Sequence, residues 1–291
     1  MKGGDQDVPV DAPPRLLDDP ALEASSVVAN SAMNRLRGLD GPNSYTRELG
    51  FNPLDRLAAA AAGAGGVRDV AWLDLCCGSG RALIEAAERL QDGPLAGRAS
   101  LVGVDLVDFF AAGAAAASAL ELICAPVTSW EPERAFDLVT CVHGLHYVGD
   151  KLGLLARAAG WLTDKGVLVA DFEPASARLA DGRPAGRPLL AALRRAGFEV
   201  DTRRRRVTTT GPGGRSQEQL AGATSRRDGA PVTGPGGRSM SESQGATSRR
   251  DGAPVTGRRH VELPYRYLGA DDRAGPNYTG QPGVHSYYDA G

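Results

Sequence analysis

Lysine is nearly missing from this 291-residue chain, which has it only at positions 2, 151 and 165 while arginine is abundant. That bias, with heavy use of alanine and glycine, is associated with a GC-rich bacterial genome. Excess charge of either sign is also lacking: the formal net charge is -2, so electrostatics argue for neither an anionic membrane nor a nucleic acid as partner. No run approaches the ~20 continuous apolar residues that cross a bilayer. The opening MKGGDQDVPVDAPP is polar and lacks the apolar core of a signal peptide. A soluble, cytoplasmic protein with no membrane partner is expected. Cysteine is scarce: Cys76, Cys77, Cys124 and Cys141 have no zinc-ligand spacing, and adjacent Cys76 and Cys77 make a poor disulfide pair. Buried, reduced thiols and no metal site are expected.

What is present falls into blocks. Residues 1–18 have no periodicity and read as a tail. Asp19-Pro20 and Asn52-Pro53 each look like a helix cap followed by proline in the first turn. The apolar stripes behind them predict two helices, to about Gly38 and Gly63, in a cap spanning 19–66. From residue 67 short apolar runs alternate with helical segments. Strands are predicted at Val70–Leu75, Leu101–Val104, Leu120–Ala125, Phe136–Val142 and Val167–Phe172. Helices are predicted at Arg81–Leu90, near 109–119, at 150–162 and at Pro188–Ala196. Apolar strands separated by helices imply a doubly wound α/β domain around a mostly parallel sheet.

Residues 211–233, GPGGRSQEQLAGATSRRDGAPVT, recur almost unchanged as 234–256, differing only at five central positions. Each copy has too little to bury to offset the entropy of ordering, so a disordered tandem-repeat insertion is expected. Removing it in thought brings 198–208 and 260–268 together as an antiparallel hairpin, giving a core of 67–210 and 257–270. The Arg203–Arg206 run would be a solvated strand face, because no aromatics interleave it as in nucleic-acid arms. Residues 271–291, with Tyr278, Tyr287 and Tyr288 among turn formers, would be a tail or a flap.

The segment DLCCGSG, Asp74 to Gly80, carries the strongest chemical signal. A strand with one acid runs into a tight glycine loop that opens a helix, where bare backbone can approach a ligand. A dinucleotide loop of G-x-G-x-x-G type would put Leu83 at the third glycine, where a small residue is needed. A plain βα turn also uses glycine.

Asp74 to Gly80 resembles motif I of class I S-adenosylmethionine-dependent methyltransferases, with Cys76 in place of the first glycine. Gly103-Val104-Asp105-Leu106 resembles the motif whose acid accepts both ribose hydroxyls. Phe136–Val139 followed by Leu145-His146-Tyr147 resembles the fourth strand and its exit, and Leu193–Val200 a later helix and strand. The resemblance implies a Rossmann-like seven-stranded sheet under an N-terminal helical cover. It implies S-adenosylmethionine as cofactor, held by Asp74, Cys76, Cys77, Gly78, Ser79, Gly80, Asp105, Leu106 and Cys141. The acid that often follows strand three is replaced by Ala125–Trp130, which leaves adenine to backbone groups of Val127 or Thr128, with Trp130 as a further candidate.

Methyl transfer is an in-line displacement that needs chiefly positioning, with a general base if the acceptor is a hydroxyl. His143 and His146, beyond strand four, are the candidate bases, and structural roles remain open for both. Asp171 and Glu173 are outside candidates, more simply read as solvated acids. Tyr45, Arg35 or Arg37 would cover the cofactor or simply pack. The reading is a small-molecule methyltransferase. The alternatives are an RNA or protein methyltransferase that docks through the basic insertion, and a binding module that has lost transfer.

Overall fold

A computed structural model describes residues 15–29, 36–63, 66–112, 118–214 and 260–291. The tail before 15, the repeats, and most of the Ala-rich helix expected near 109–119 lie outside the described residues. At the N-terminus α1 (Asp19–Glu23) is capped by Asp18, one residue earlier than expected, whose side chain accepts from Ala21 N at 2.9 Å. It is followed by α2 (Ser26–Ala29), α3 (Tyr45–Leu49) and α4 (Pro53–Ala61). The α3 helix was not foreseen: it lies inside a turn-rich stretch, is one turn long and is started by the Ser44 side chain. Asn52 caps α4 as expected, accepting from Leu54 N.

A two-residue hairpin, β1 (Ala62–Gly63) and β2 (Gly66–Val67), leads into the core. The core elements are β3 (Val70–Leu75), α5 (Arg81–Leu90), β4 (Ala99–Asp105), β5 (Leu120–Cys124), β6 (Phe136–Cys141), α6 (Lys151–Gly160) and β7 (Leu162–Asp171). After these come β8 (Ala177–Leu179), α7 (Gly186–Arg195), β9 (Glu199–Asp201) and β10 (Arg206–Thr210). Seven strands pair in the order β5-β4-β3-β6-β7-β10-β9, all parallel except β10, which runs against both neighbours. Strands β3 and β6 are buried at every residue, as a sheet covered on both faces requires. Helix α5 turns Leu83, Ala86, Ala87 and Leu90 inward; full burial of a leucine such as Leu83 is worth about 2 kcal/mol. The strand order reverses between β4–β3 and β6, which opens a crevice at the carboxyl ends of β3 and β6.

The hairpin that ends the sheet is made of different residues than expected. Asp201 Oδ1 accepts from Arg203 N and Arg204 N, both at 3.0 Å, and Arg205 adopts φ +51°. The chain therefore reverses inside the arginine run, a turn that aspartate side chains favour. Arg203, Arg204 and Arg205 are exposed, on a turn and not on a strand face, whereas Arg206 is buried, with Nη1 donating to Leu49 O at 2.7 Å. With β9 already beside β10, the C-terminal segment pairs elsewhere. Strand β11 (Tyr265–Asp271) lies antiparallel to β12 (His285–Ala290), which runs parallel to β8 in a separate three-stranded sheet. Residues 260–270 thus do not extend the core sheet. Lys151, 1% exposed, ties this second sheet to α6: Nζ donates to Val148 O and Val284 O at 2.9 Å and to Ser286 Oγ at 2.7 Å. Burial pulls its ammonium down to about 7, while three acceptors favour the charged form.

Candidate functional site

The carboxyl ends of the parallel strands bring the sequence-predicted residues to one edge. Cys76 follows β3 with φ +56° and Gly80 follows with φ +70°. Left-handed backbone is where glycine is the usual occupant, so the cysteine at 76 sits on a position a glycine would fill without strain. A Cβ on Gly80 would come within 2.7 Å of Leu122, and one on Gly144, beyond β6, within 2.4 Å of the Cys76 Cβ. The two loops are packed that closely across the crevice. At the end of β4, Asp105 Oδ2 accepts from Gly78 N at 2.8 Å and Oδ1 from Val107 N at 3.2 Å.

A cleft with about 840 Å³ of empty space, its open mouth included, runs along this edge. Cys76, Cys77, Gly78, Asp105, Leu106, Val127 and Thr128 line one end; Arg37, Tyr45, His143, Gly144 and Tyr147 line the other. Leu22, Glu23 and Val28 from the N-terminal cap also face it. Glu23 accepts from the Thr128 hydroxyl at 2.7 Å, so α1 is tied to the loop after β5. Arg157 Nη2 donates to Val127 O at 2.9 Å and its Nη1 to Thr128 O, so both carbonyls expected to recognise adenine already have a partner.

Five expected site residues are not among those lining the cleft: Asp74, Ser79, Gly80, Cys141 and His146. Asp74 is fully buried beneath the loop. Tyr45 Oη donates to its Oδ2 at 2.7 Å, Thr140 Oγ1 to its Oδ1 at 2.6 Å, and Trp72 Nε1 to Thr140 Oγ1 at 2.8 Å. Burial raises Asp74 to about 7, opposed by those two hydroxyls. Its part is to anchor Tyr45, which does face the cleft. Cys141 is 1% exposed; its contact with the Cys76 thiol, together with burial, pushes Cys76 well above the usual thiol range. Burial likewise pushes Cys77 up, so neither is a thiolate nucleophile at neutral pH. Cys124, expected inside, is exposed, and Cys76 is half-buried. His146 is buried with Nε2 unpartnered among the described residues, and its ring lies 4.9 Å from Tyr278. Burial and the charge of Lys151 bring it down to about 3, so it is neutral and turned from the cleft. Those properties do not suit a general base.

His143 does face the cleft, in the left-handed conformation at φ +57°. Its Nε2 lies 3.3 Å from Glu48 Oε2 and 3.6 Å from Asp171 Oδ2, and its Nδ1 lies 3.1 Å from Tyr278 Oη. Its backbone N–H donates to Asp171 Oδ2 at 3.0 Å. Contact with His143, together with Arg37 at 2.8 Å, holds the Glu48 carboxyl at about 2 against the effect of burial. Asp171, expected in solvent, is 6% exposed and raised by that burial. Glu48 and Tyr278 were not foreseen here. Glu48 belongs to the unforeseen α3, and Tyr278 reaches His143 from a segment 135 residues away. The one local sign was an acid closing an apolar strand at Asp171, as at Asp105.

Residues 73–166 match the family model described as a methyltransferase domain. No curated protein matches. Among solved structures, the N-methyltransferase NodS from Bradyrhizobium japonicum, in complex with S-adenosyl-L-homocysteine, is 17% identical, with 67% of this chain and 98% of that one covered and a TM-score of 0.41. The plantazolicin methyltransferase BpumL is 18% identical over 35% of this chain and 38% of its own, with a TM-score of 0.29. In a second structure of BpumL the chain spans 40% of that protein's length.

Proposed function

We propose that the chain, whose residues 73–166 match a methyltransferase-domain family model, moves a methyl group from S-adenosylmethionine to a small-molecule acceptor. When bound, that cofactor supplies an electrophilic methyl group on a sulfonium. The residues present fit it. Gly78 offers bare backbone in the cleft, and Asp105, which lines it beside Gly78, is the acid for the ribose hydroxyls. Leu106 and Val127 offer apolar contact for an adenine.

One observation carries the small-acceptor reading: a single cleft continues from Asp105 to His143 and is roofed by α1, pinned across it by Glu23 and Thr128. A roof at that place favours a small molecule beside the donor over a folded macromolecule. Arg37, Tyr45 and Tyr147 orient the acceptor, and enclosure excludes water from the displacement. Both ring nitrogens of His143 already face other groups, so it acts within that cluster and not as a lone base.

Calorimetric titration with S-adenosylmethionine and S-adenosyl-L-homocysteine tests the reading. Micromolar binding is expected, about -8 kcal/mol at 1 μM. In Asp105→Ala the affinity should fall at least about tenfold, since a charged hydrogen bond is worth about 1.5–3 kcal/mol. Binding of a nicotinamide nucleotide in place of either ligand would overturn it.

A further inference from the structure

We propose that Glu48, His143 and Asp171 form a binding site for a divalent transition-metal ion at the acceptor end of the cleft. One ligand atom from each lies within 4.8 Å of the others. The His143 side chain is 5% exposed, and its Nε2 has no hydrogen-bond partner among the described residues although two carboxylates converge on it. A charge-assisted N–H···O bond is about 2.7–2.9 Å long, and the approaches here are 3.3 and 3.6 Å. Donors about 2.0–2.2 Å from a shared ion stand about 3.0–3.4 Å apart. The spacing is thus nearer to that of a coordination polyhedron than to that of an ion pair.

The donors are also held by further hydrogen bonds, as metal ligands are. Arg37 Nη1 holds the other oxygen of Glu48 at 2.8 Å, and the His143 backbone N–H donates at 3.0 Å to Asp171 Oδ2, the oxygen that also faces Nε2. Tyr278 Oη sits 3.1 Å from His143 Nδ1. With Nδ1–H donating to that phenol, Nε2 presents its lone pair to the two carboxylates. Holding His143 at φ +57° is strained for a non-glycine residue, and such strain concentrates at functional sites. One imidazole and two carboxylates suit manganese, iron, cobalt or zinc better than softer ions.

Three protein donors leave coordination positions open toward the cleft that His143 lines. A hydroxyl-bearing acceptor could bind there and give up its proton more readily. That use of the ion rests on the methyltransferase reading, whereas the ion's binding does not.

The full chain, stripped with chelator, is titrated with Mn2+ while the free-ion electron paramagnetic resonance signal is followed, and with Zn2+ by calorimetry. One ion per chain is expected, with one directly coordinated nitrogen in the electron spin echo of the manganese form. Glu48→Gln and Asp171→Asn should each weaken binding at least about tenfold, and Tyr278→Phe about tenfold. The echo needs no variant, so a misfolded mutant does not decide the matter. Failure of both ions to bind, binding without a coordinated nitrogen, or unchanged affinity in folded Glu48→Gln would overturn the site. Titrating the same samples with S-adenosyl-L-homocysteine separates the two readings: an ion without cofactor binding sinks the proposed function alone, and the reverse sinks the metal site alone.

Discussion

The two ends of the cleft are built in opposite ways. The end at Asp105 is made by three short stretches, Cys76–Gly78, Asp105–Val107 and Pro126–Thr128, each at the carboxyl end of a parallel strand. The end at His143 is assembled from α3, the exit of β6, the last residue of β7 and the C-terminal segment. A loop coded in a few neighbouring residues can hold its shape by local packing. A cluster drawn from four distant segments depends on everything that places those segments.

The sharpest way to break this contrast is Lys151→Met. It removes the donor to two buried carbonyls and a hydroxyl that join α6 to β12. Each of the three orphaned groups costs about 1–3 kcal/mol, so a loss of at least about 3 kcal/mol is expected in chemical denaturation. Limited proteolysis should then cut within 265–291, the segment that brings Tyr278 to His143. Affinity for S-adenosyl-L-homocysteine should stay within about threefold, less than 1 kcal/mol. A larger loss would mean that the two ends are one unit.

The same contrast governs what was legible in the sequence. The alternation of strands and helices, the Gly80 bend and Asp105 were readable because strand period, glycine conformation and an acid at a strand end are local signals. Asp74 was assigned to the ligand because it sits in the motif; that its oxygens belong to Tyr45 and Thr140 depends on contacts 29 and 66 residues away. The hairpin was misplaced because four arginines in a row hide a turn made by Asp201, whose side chain grips the next backbone amides. Glu48 carried no periodic or motif signal. Its helix is one turn long, below the length at which periodicity can be read.

Tyr45→Phe probes the seam between the ends. The substitution leaves the buried Asp74 with one hydroxyl donor of two, a cost of about 1–3 kcal/mol. The pH dependence identifies the cause. Asp74 holds its proton up to about 7 in the folded state, whereas the unfolded chain releases it near the usual carboxylate value. The folded protein therefore binds more protons between about pH 4 and pH 7, and its stability falls as pH rises through that window. In Tyr45→Phe the window should extend upward, because a hydroxyl that favoured the carboxylate is gone. In Asp74→Asn this part of the slope should vanish. If the Asn variant keeps the slope, another group sets it, and the anchoring role of Asp74 fails.

The smallest effect belongs to the local end. Cys76→Gly releases a left-handed non-glycine backbone, worth about 1–2 kcal/mol. Against that stands the greater freedom glycine gives the unfolded chain, about 0.5–1 kcal/mol, and the lost packing of the thiol against Cys141 and Gly144. These contributions oppose each other, so thermal unfolding should report a net change below about 1 kcal/mol. Cofactor affinity should hold, since Gly78 and Asp105 supply the contacts while Cys76 supplies the bend. A large loss of affinity in a stable Cys76→Gly protein would show that the side chain itself meets the ligand, and that a strained cysteine stands at this turn for contact and not for conformation.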